Sequence, residues 1–261
     1  MTERASAASA EVVSAAQAIA SIFGDAAPSS ATAAPGSAPA SRCPFAQMFT
    51  RASTASLADR LKASTKELHH AAEHHPLQQS IVRGTITRAD YAAFARAMRQ
   101  VHAAMESVLG TLAASDVRIG AIFHTRHHRL AAFDRDIALL DAGAGSTLAL
   151  EVRPTEWLGQ GTHNHPLAWL GVLYVVEGSS NGGQAIARVL RRAWSLDDDT
   201  LASLDPHGAA TRELWGGFRT TLDAQSFSSE EQDAILRGAA ATFAGITQLM
   251  DSLVAAPAAK S

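Results

Sequence analysis

The clearest pattern in this chain is the recurrence of apolar residues every three or four positions. Thr87 and Asp90 form a helix-capping signature, and an apolar stripe follows them to about Leu112. The stripe consists of Tyr91, Phe94, Met98, Val101, Met105 and Val108. This spacing is typical of an amphipathic helix whose apolar face lies in a core. Segments that alternate apolar and polar residues, as half-buried strands do, are nearly absent.

The same reasoning predicts five further helices. Ser56 and Asp59 form a capping signature for the first, and Pro76 follows its predicted end. Ser228 and Glu231 form a capping box for the last. The predicted ranges are about 56–74, 126–141, 166–193, 208–224 and 229–255. The pattern therefore predicts an all-α fold, an irregular multi-helix bundle in which ligand sites lie between facing helices.

The first 55 residues differ in composition from the rest of the chain. They are rich in Ala and Ser, contain several prolines and show little apolar periodicity. Such a segment buries too little apolar surface to offset the entropy lost on ordering. We therefore expect a disordered tail over residues 1–55 and one helical domain over residues 56–256. An organelle transit peptide would share the Ala and Ser richness, but arginines are few here and acids are present.

Charge and cysteine content narrow the range of partners. The formal net charge is −3 and no long basic block occurs, so neither nucleic acid nor an anionic membrane is an expected partner. The longest apolar run, 166–176, is shorter than the roughly 20 residues that a membrane helix needs. Cys43 is the only cysteine, which excludes an internal disulfide. A reducing, cytoplasmic compartment is the expected location.

Three glycines interrupt what is otherwise one long apolar helix. Gly178, Gly182 and Gly183 lie within the segment 174–184, and each costs roughly 1 kcal/mol relative to alanine in a helix. A structural or functional requirement must therefore explain why glycine occupies these positions. Without a Cβ, the backbone can approach a flat partner closely, and the helix is kinked or loosened there. Tight helix packing through small residues is the alternative explanation.

The first predicted helix carries a candidate metal ligand. His69 lies near the apolar face formed by Leu61, Leu68 and Ala72. Its neighbour His70 is turned by about 100° around the helix. A neutral imidazole on a packed helix is a good metal ligand, because the helix fixes its direction.

Together these two segments resemble the heme oxygenases. The helix 61–73 resembles the family's proximal helix, whose histidine ligates heme iron. The segment 174–184 resembles its distal helix, whose glycines lie against the other heme face. The resemblance extends over about 57–253, and residues 241–249 are similar to the family's last core helix. The Glu-Gly-Ser form of the distal motif and the Leu-Trp-x-x-Phe run at Trp215 most resemble bacterial members, including those that serve bacteriophytochromes.

The resemblance implies an enzyme that uses heme as both substrate and cofactor. It implies oxidative opening of the porphyrin ring by O2 to biliverdin, with release of carbon monoxide and ferrous iron. The chain has no dinucleotide or flavin motif, so the electrons must come from an external donor. A ferredoxin, a flavodoxin or an NAD(P)H-dependent reductase is the implied donor, and a bacteriophytochrome is a further partner that the resemblance suggests.

The resemblance also assigns roles on the proximal side. His69 would be the axial ligand of heme iron, and Glu73, one turn later, would hold its imidazole or a nearby loop. Lys62, Lys66 and Arg219 would contact the heme propionates. From spacing alone, the two lysines fit a solvated helix face equally well, and Glu73 fits an ordinary surface carboxylate.

On the distal side, the resemblance assigns a wall to Gly178, Gly182 and Gly183. Close backbone approach would direct dioxygen along the ring toward a meso carbon. Ser179 stands where the animal enzymes carry an aspartate that orders water beside the oxygen. This difference leaves the residue that delivers protons unassigned.

Several alternatives remain open at this stage. The chain could be a non-catalytic heme carrier or sensor, or a different enzyme on the same scaffold, such as a non-heme di-iron oxygenase or a hydrolase of a pyrimidine ring. Cys43-Pro44 resembles a short heme-regulatory motif, although an unpaired thiol in a flexible segment explains it equally well.

Two further histidine groups have spacings seen in metal sites. His70 and His74 are four residues apart, and His124, His127 and His128 form a second cluster. No cysteine or matched acid completes either set. We therefore predict that both groups lie on solvated faces.

Overall fold

The computed structural model describes residues 55–141 and 165–255. Within these ranges the regular structure consists of nine α-helices and two short 3-10 turns, and the predicted all-α fold is confirmed. The α-helices are α1 (Leu57–Glu73), α2 (Pro76–Val82), α3 (Arg88–Ala113), α4 (Val117–Ile122), α5 (Leu130–Asp141), α6 (Ala168–Gly178), α7 (Ser180–Trp194), α8 (Thr211–Asp223) and α9 (Ser229–Ala255). The 3-10 turns are Thr125–His127 and Gly208–Ala210. The predictions for residues 1–54, Cys43-Pro44 among them, lie outside the described residues.

The capping hydrogen bonds predicted at three helix starts are present in the structure. The Thr87 hydroxyl accepts a hydrogen bond from the Asp90 N–H at 3.1 Å. Ser228 and Glu231 cap each other reciprocally, with donor–acceptor distances of 2.8 and 3.2 Å. Ser56 begins α1 in the same way. Each cap satisfies backbone N–H groups that have no partner inside the helix.

Pro76 has a second role that was not predicted from the sequence. The residue follows the end of α1, as predicted, but it also occupies the first turn of α2. Its missing N–H costs nothing there, because first-turn N–H groups have no intrahelical partner. His75 is the N-cap, and its Nδ1 accepts a hydrogen bond from the Leu77 N–H at 3.1 Å.

The helix predicted over 126–141 begins later than expected. The His127 ring accepts a hydrogen bond from the His124 N–H at 2.9 Å and so closes a 3-10 turn over Thr125–His127. His128 has extended backbone, which separates this turn from α5. The α-helix therefore starts only at Leu130.

The core is organised around the contact between α6 and α9. Every residue of α6 is buried. A Cβ on Gly171 would lie 2.2 Å from the Ile235 carbonyl oxygen, and a Cβ on Gly238 would lie 2.0 Å from the Ala168 carbonyl oxygen. Glycine at both positions therefore lets the two backbones touch. Although α6 is largely apolar up to Val176, none of the described helices has both the length and the apolar character needed to cross a membrane.

The helix α1 packs on the same α9 and is joined to α8. The Asp223 carboxylate accepts a hydrogen bond from the Ala58 N–H at 2.8 Å. Nearby, Arg219 donates to Asp59 at 3.0 Å. Both α1 and α6 therefore rest on α9, and α8 is anchored to the first turn of α1.

Candidate functional site

His69 lies on the partly buried side of α1, against α9. Its ring meets the Phe243 ring edge-on, with ring centroids 5.5 Å apart. Its Nδ1 is 3.4 Å from Oε2 of Glu73, one helical turn later, and 26% of the side chain is exposed. A proton on Nδ1, directed at this carboxylate, leaves the lone pair on Nε2. A histidine supported in this way by a carboxylate is suited to binding a metal.

His70 points in a different direction from His69. It is exposed, and its ring stacks on that of His74 with centroids 4.1 Å apart. Both rings therefore lie on the solvated face of α1, as predicted. Within residues 55–141 and 165–255, no group of three or more His, Cys, Asp or Glu side chains is arranged to share a metal ion.

The glycine-containing segment breaks at Ser179. The helix α6 ends one residue before it, and α7 begins at Ser180. The Gly182 and Gly183 N–H groups both donate to the Ser179 carbonyl, at 3.2 and 3.1 Å, and so form the first turn of α7. Ser179 is exposed, whereas residues 167–178 and Ser180 are buried. Ser179 is therefore the one solvent-exposed residue within this buried stretch.

The three glycines differ in what surrounds them. A Cβ on Gly178 would lie 3.3 Å from the Trp215 ring, whereas one on Gly183 would lie 2.0 Å from the Leu204 carbonyl oxygen. Close packing against a backbone carbonyl accounts for Gly183. Gly182 is buried in the first turn of α7. Of Gly178 and Gly183, only Gly178 faces a side chain and not a backbone carbonyl.

Aromatic residues continue from Trp215 behind the break. The Trp215 ring stacks on Phe218 with centroids 5.4 Å apart, and Tyr174 lies at 5.3 Å on another side. Burial raises the pKa of Tyr174 to about 12, so its phenol stays protonated at neutral pH. On the far side of Phe218, the His127 ring packs edge-on at 6.0 Å. This row of rings is a water-excluding support for the Gly178 backbone.

The burial of His127 corrects the prediction that its cluster is solvated. His124 is exposed and half of the His128 side chain is exposed, but only 1% of His127 is. Because Nδ1 accepts the His124 N–H, the proton of the neutral ring is on Nε2, and none of the described residues accepts it. Burial lowers the pKa of His127 to about 3. The four-residue spacing from Phe123, on which His127 stacks, was the available signal.

A buried ion pair that was not predicted from the sequence lies beside the break. Arg129 donates through Nη2 to Glu177 at 2.7 Å and to Ser180 at 2.6 Å. The second Glu177 oxygen accepts from His207 Nε2 at 2.9 Å. Burial by itself would raise the pKa of Glu177, but the hydrogen bond from His207 and the charge of Arg129 lower it to about 2. A glutamate that ends a long apolar run was the available signal, because a buried carboxylate requires partners.

Arg129 is held in turn by residues of α3. Glu106 accepts its backbone N–H at 2.8 Å, and the other Glu106 oxygen lies 3.1 Å from His128 Nδ1. His102, on the same face of α3, is 2% exposed. Burial and the charge of Arg129 lower the pKa of His102 well below its usual range. The polar network therefore extends from α3 through Arg129 to the α6–α7 break.

The three predicted propionate-binding cations lie on α1 and α8. Lys62 and Lys66 are exposed on α1. Arg219 pairs with Asp59, and 38% and 57% of the two side chains are exposed. An exposed pair of this kind contributes about 0–1 kcal/mol, so Arg219 can exchange its partner for another anion at little cost.

Acid should destabilise the protein through His127. The pKa of an unfolded histidine is about 6.5, whereas that of folded His127 is about 3. Between these values the unfolded state binds a proton that the folded state does not. The free energy of unfolding should therefore fall by about 1.4 kcal/mol per pH unit from this residue as the pH drops from about 6.5 toward 3.

Urea unfolding between pH 6.5 and pH 5 measures this contribution. His127→Asn keeps an acceptor for the His124 N–H and removes the titrating ring. We expect this variant to show a shallower pH dependence, by about one proton, while His102 continues to contribute in the same direction. His70→Asn, on the exposed face of α1, is the matched control. Equal slopes in the two variants would contradict the assignment.

Comparison with known proteins identifies related sequences and folds. The sequence profile of the heme oxygenase family matches residues 55–252. A search of curated protein sequences finds no match. The solved structure of heme oxygenase from Leptospira interrogans is similar with a TM-score of 0.65 and 21% sequence identity, covering 76% of this chain and 100% of that one.

Two further solved structures show the same likeness. Heme oxygenase-1 from the cyanobacterium Synechocystis, in complex with heme, has a TM-score of 0.66 at 16% identity, covering 76% of this chain and 92% of that one. Heme oxygenase 2 from Chlamydomonas reinhardtii, without heme, has a TM-score of 0.62 at 19% identity, covering 78% and 100%. At these identities, the structural likeness establishes the shared fold.

Proposed function

This chain belongs to the heme oxygenase family, and on that premise we propose that it binds heme between α1 and the α6–α7 break and opens the ring oxidatively to biliverdin. One observation carries the proposal. His69, supported by Glu73, and the exposed break at Ser179 belong to two helical segments that rest on the same helix, α9. Carbon monoxide and ferrous iron would be the other products.

The residues present fit a heme at both faces of the proposed site. On one side, His69 Nδ1 lies 3.4 Å from the Glu73 carboxylate, so the opposite ring nitrogen, Nε2, would be the atom that binds heme iron. On the other side, the space that a Cβ on Gly178 would enter is bounded by the Trp215 ring and not by backbone. A flat apolar ligand can take the place of such an aromatic contact.

Each proximal residue has a distinct part in binding. His69 would ligate the iron, and Glu73 would fix the direction of its imidazole. Phe243, edge-on to this ring, would restrict its rotation. Lys62 and Lys66, exposed on α1, would pair with the heme propionates.

Arg219 would join these lysines from α8, on exchanging Asp59 for a propionate. Each such contact neutralises a carboxylate that would otherwise oppose burial of the heme. The site would then hold the heme in one orientation within its own plane, with the propionates directed toward α1 and α8.

The distal residues would exclude water and shape the oxygen side. Heme, once reduced by an external donor such as a ferredoxin, a flavodoxin or an NAD(P)H-dependent reductase, supplies the dioxygen chemistry. The backbone at Gly178 and Gly182 would leave room only along the ring, and the apolar α6 would keep bulk water out. Ser179, exposed at the break, would present a hydroxyl to solvent on the oxygen side, from which protons could be supplied.

Hemin titration followed by reduction tests the proposal. We expect one hemin to bind per chain with the Soret band of histidine-ligated heme, and a reductant in air to convert that band into a bilin spectrum. Stable binding without conversion would instead indicate a heme carrier or sensor. Absence of a Soret band of this kind would indicate a different enzyme on the same scaffold.

Gly178→Leu should separate the distal-wall role from a packing role. The added side chain would press on the Trp215 ring, 3.3 Å from a Cβ at this position, and would crowd the oxygen side of the proposed heme site, so we expect hemin to bind through His69 with a strongly reduced rate of porphyrin oxidation. Single-turnover absorption spectroscopy measures both steps. Gly110→Leu is the matched control, because Gly110 is helical, exposed and has nothing within 4 Å of a Cβ. A variant that loses thermal stability but oxidises bound heme at the normal rate would show that Gly178 serves packing alone.

A further inference from the structure

Arg129 contacts both sides of the break in the distal segment. Its Nη2 donates to Glu177 in the last turn of α6 and to Ser180, the first residue of α7. The residue between the two helices, Ser179, is exposed and its hydroxyl bonds only locally, to the Val176 carbonyl at 2.7 Å. The two helix ends are therefore joined through one guanidinium that comes from a distant part of the chain.

We propose that Arg129 is a positioning residue that clamps the α6–α7 break and so sets the position of Gly178 and Ser179 against the heme. The inference rests on the proposed function for its role toward heme. We refer to Arg129, Glu177, Ser180 and His207 together as the Arg129 clamp. Its members lie up to 78 residues apart in the sequence (Arg129 to His207).

Two further hydrogen bonds fix the two members of the ion pair, one from Glu106 and one from His207. Glu106 fixes the backbone of Arg129 at 2.8 Å, and His207 fixes the second oxygen of Glu177 at 2.9 Å. Neither partner of the ion pair can rotate without breaking a second hydrogen bond. A shift of Arg129 would therefore pass directly to Glu177, and through one peptide to Gly178.

Because the clamp is buried, its geometry is tightly constrained. Only 4% of the Arg129 side chain and 2% of the Glu177 side chain are exposed. In such surroundings hydrogen bonds between charged groups are strong, and leaving one charge unpaired is costly. A buried ion pair adds little net stability compared with well-packed apolar residues. The arrangement is therefore better suited to holding one geometry than to stabilising the fold.

Hydrogen exchange in the ligand-free, full-length protein tests the clamp independently of activity. The reporters are the Gly182 and Gly183 amides, which donate to the Ser179 carbonyl. In Arg129→Met we expect these two amides to exchange at least about tenfold faster, because the loss of charged hydrogen bonds favours local opening. The matched control is Arg99→Met, which removes an exposed arginine that pairs with Asp134. It should leave both rates unchanged.

Ser180→Ala keeps the test decisive if Arg129→Met does not fold. This variant removes one arm of the clamp and leaves the ion pair, so it should accelerate the same two amides to a smaller extent. Acceleration confined to the first turn of α7 supports the clamp. Unchanged rates, or equal acceleration in all helices, would overturn it.

A spectroscopic readout tests the positioning of the distal side against heme. The C–O stretching band of carbon monoxide on ferrous heme reports the surroundings of the distal ligand. We expect it to shift or broaden in Arg129→Met and in Ser180→Ala but not in Arg99→Met. Identical bands in all variants would overturn the positioning role. If the wild-type protein instead binds heme without opening the ring, the proposed function fails while the exchange result still decides the clamp.

Discussion

Replacing Gly238 with valine should prevent the helical domain from folding stably. A Cβ at this position would lie 2.0 Å from the Ala168 carbonyl oxygen and 2.7 Å from its carbonyl carbon. No rotamer change relieves a clash between backbones, so α9 and α6 would have to separate. Overpacking usually costs about 1–3 kcal/mol, and we expect more than about 4 kcal/mol here, which is a large part of the stability of a typical domain.

Thermal unfolding followed by circular dichroism measures this effect. Gly110→Val is the matched control, because it makes the same change at an exposed helical position with no neighbour within 4 Å of a Cβ. We expect the control to unfold at or near the wild-type temperature. A Gly238→Val variant that is as stable as the control would show that the close α6–α9 contact is not present in solution.

Replacing His69 with alanine should abolish heme turnover without unfolding the domain. Alanine favours the helix and leaves the caps of α1 intact. The change removes the proposed iron ligand and leaves the other residues of the proposed heme site in place, so heme would still be able to bind there. Single-turnover spectroscopy with a reductant in air should show no biliverdin, and added imidazole should restore part of the activity.

His70→Ala is the control for this prediction. His70 is the next residue, is exposed and stacks on His74, away from Phe243. Its replacement should leave both the Soret band and turnover near wild-type values. Normal biliverdin formation by His69→Ala without imidazole would show that the proximal assignment is wrong.

The long helices could be predicted because their signals are local. The residues of the apolar stripe that begins at Tyr91 lie within a few helical turns of one another, and the capping residues Ser228 and Glu231 are three residues apart. The break near Ser179 was also predictable, since glycines inside an apolar helix are costly. The short helices α2 and α4 were missed, because six or seven residues carry too little periodicity.

The polar side of the candidate site could not be predicted in the same way. Arg129 reaches Glu177 across 48 residues, and His207 reaches it across 30. Such pairs depend on how the helices pack against one another, and the periodicity of apolar residues in the sequence carries no information about that packing. His127 shows the same limit in part, because Phe123 lies only four residues away, whereas Phe218, which also packs on its ring, is distant in the sequence.

Product analysis after a single turnover is the most direct test of the central claim. The full-length protein, loaded with one equivalent of hemin, is given a reductant in air with catalase present to remove free peroxide. We predict biliverdin, identified by mass, and carbon monoxide, each in about equal amount to the heme consumed. Heme that stays intact, or that is bleached without carbon monoxide and biliverdin, would contradict the assignment of this chain as a heme-opening oxygenase.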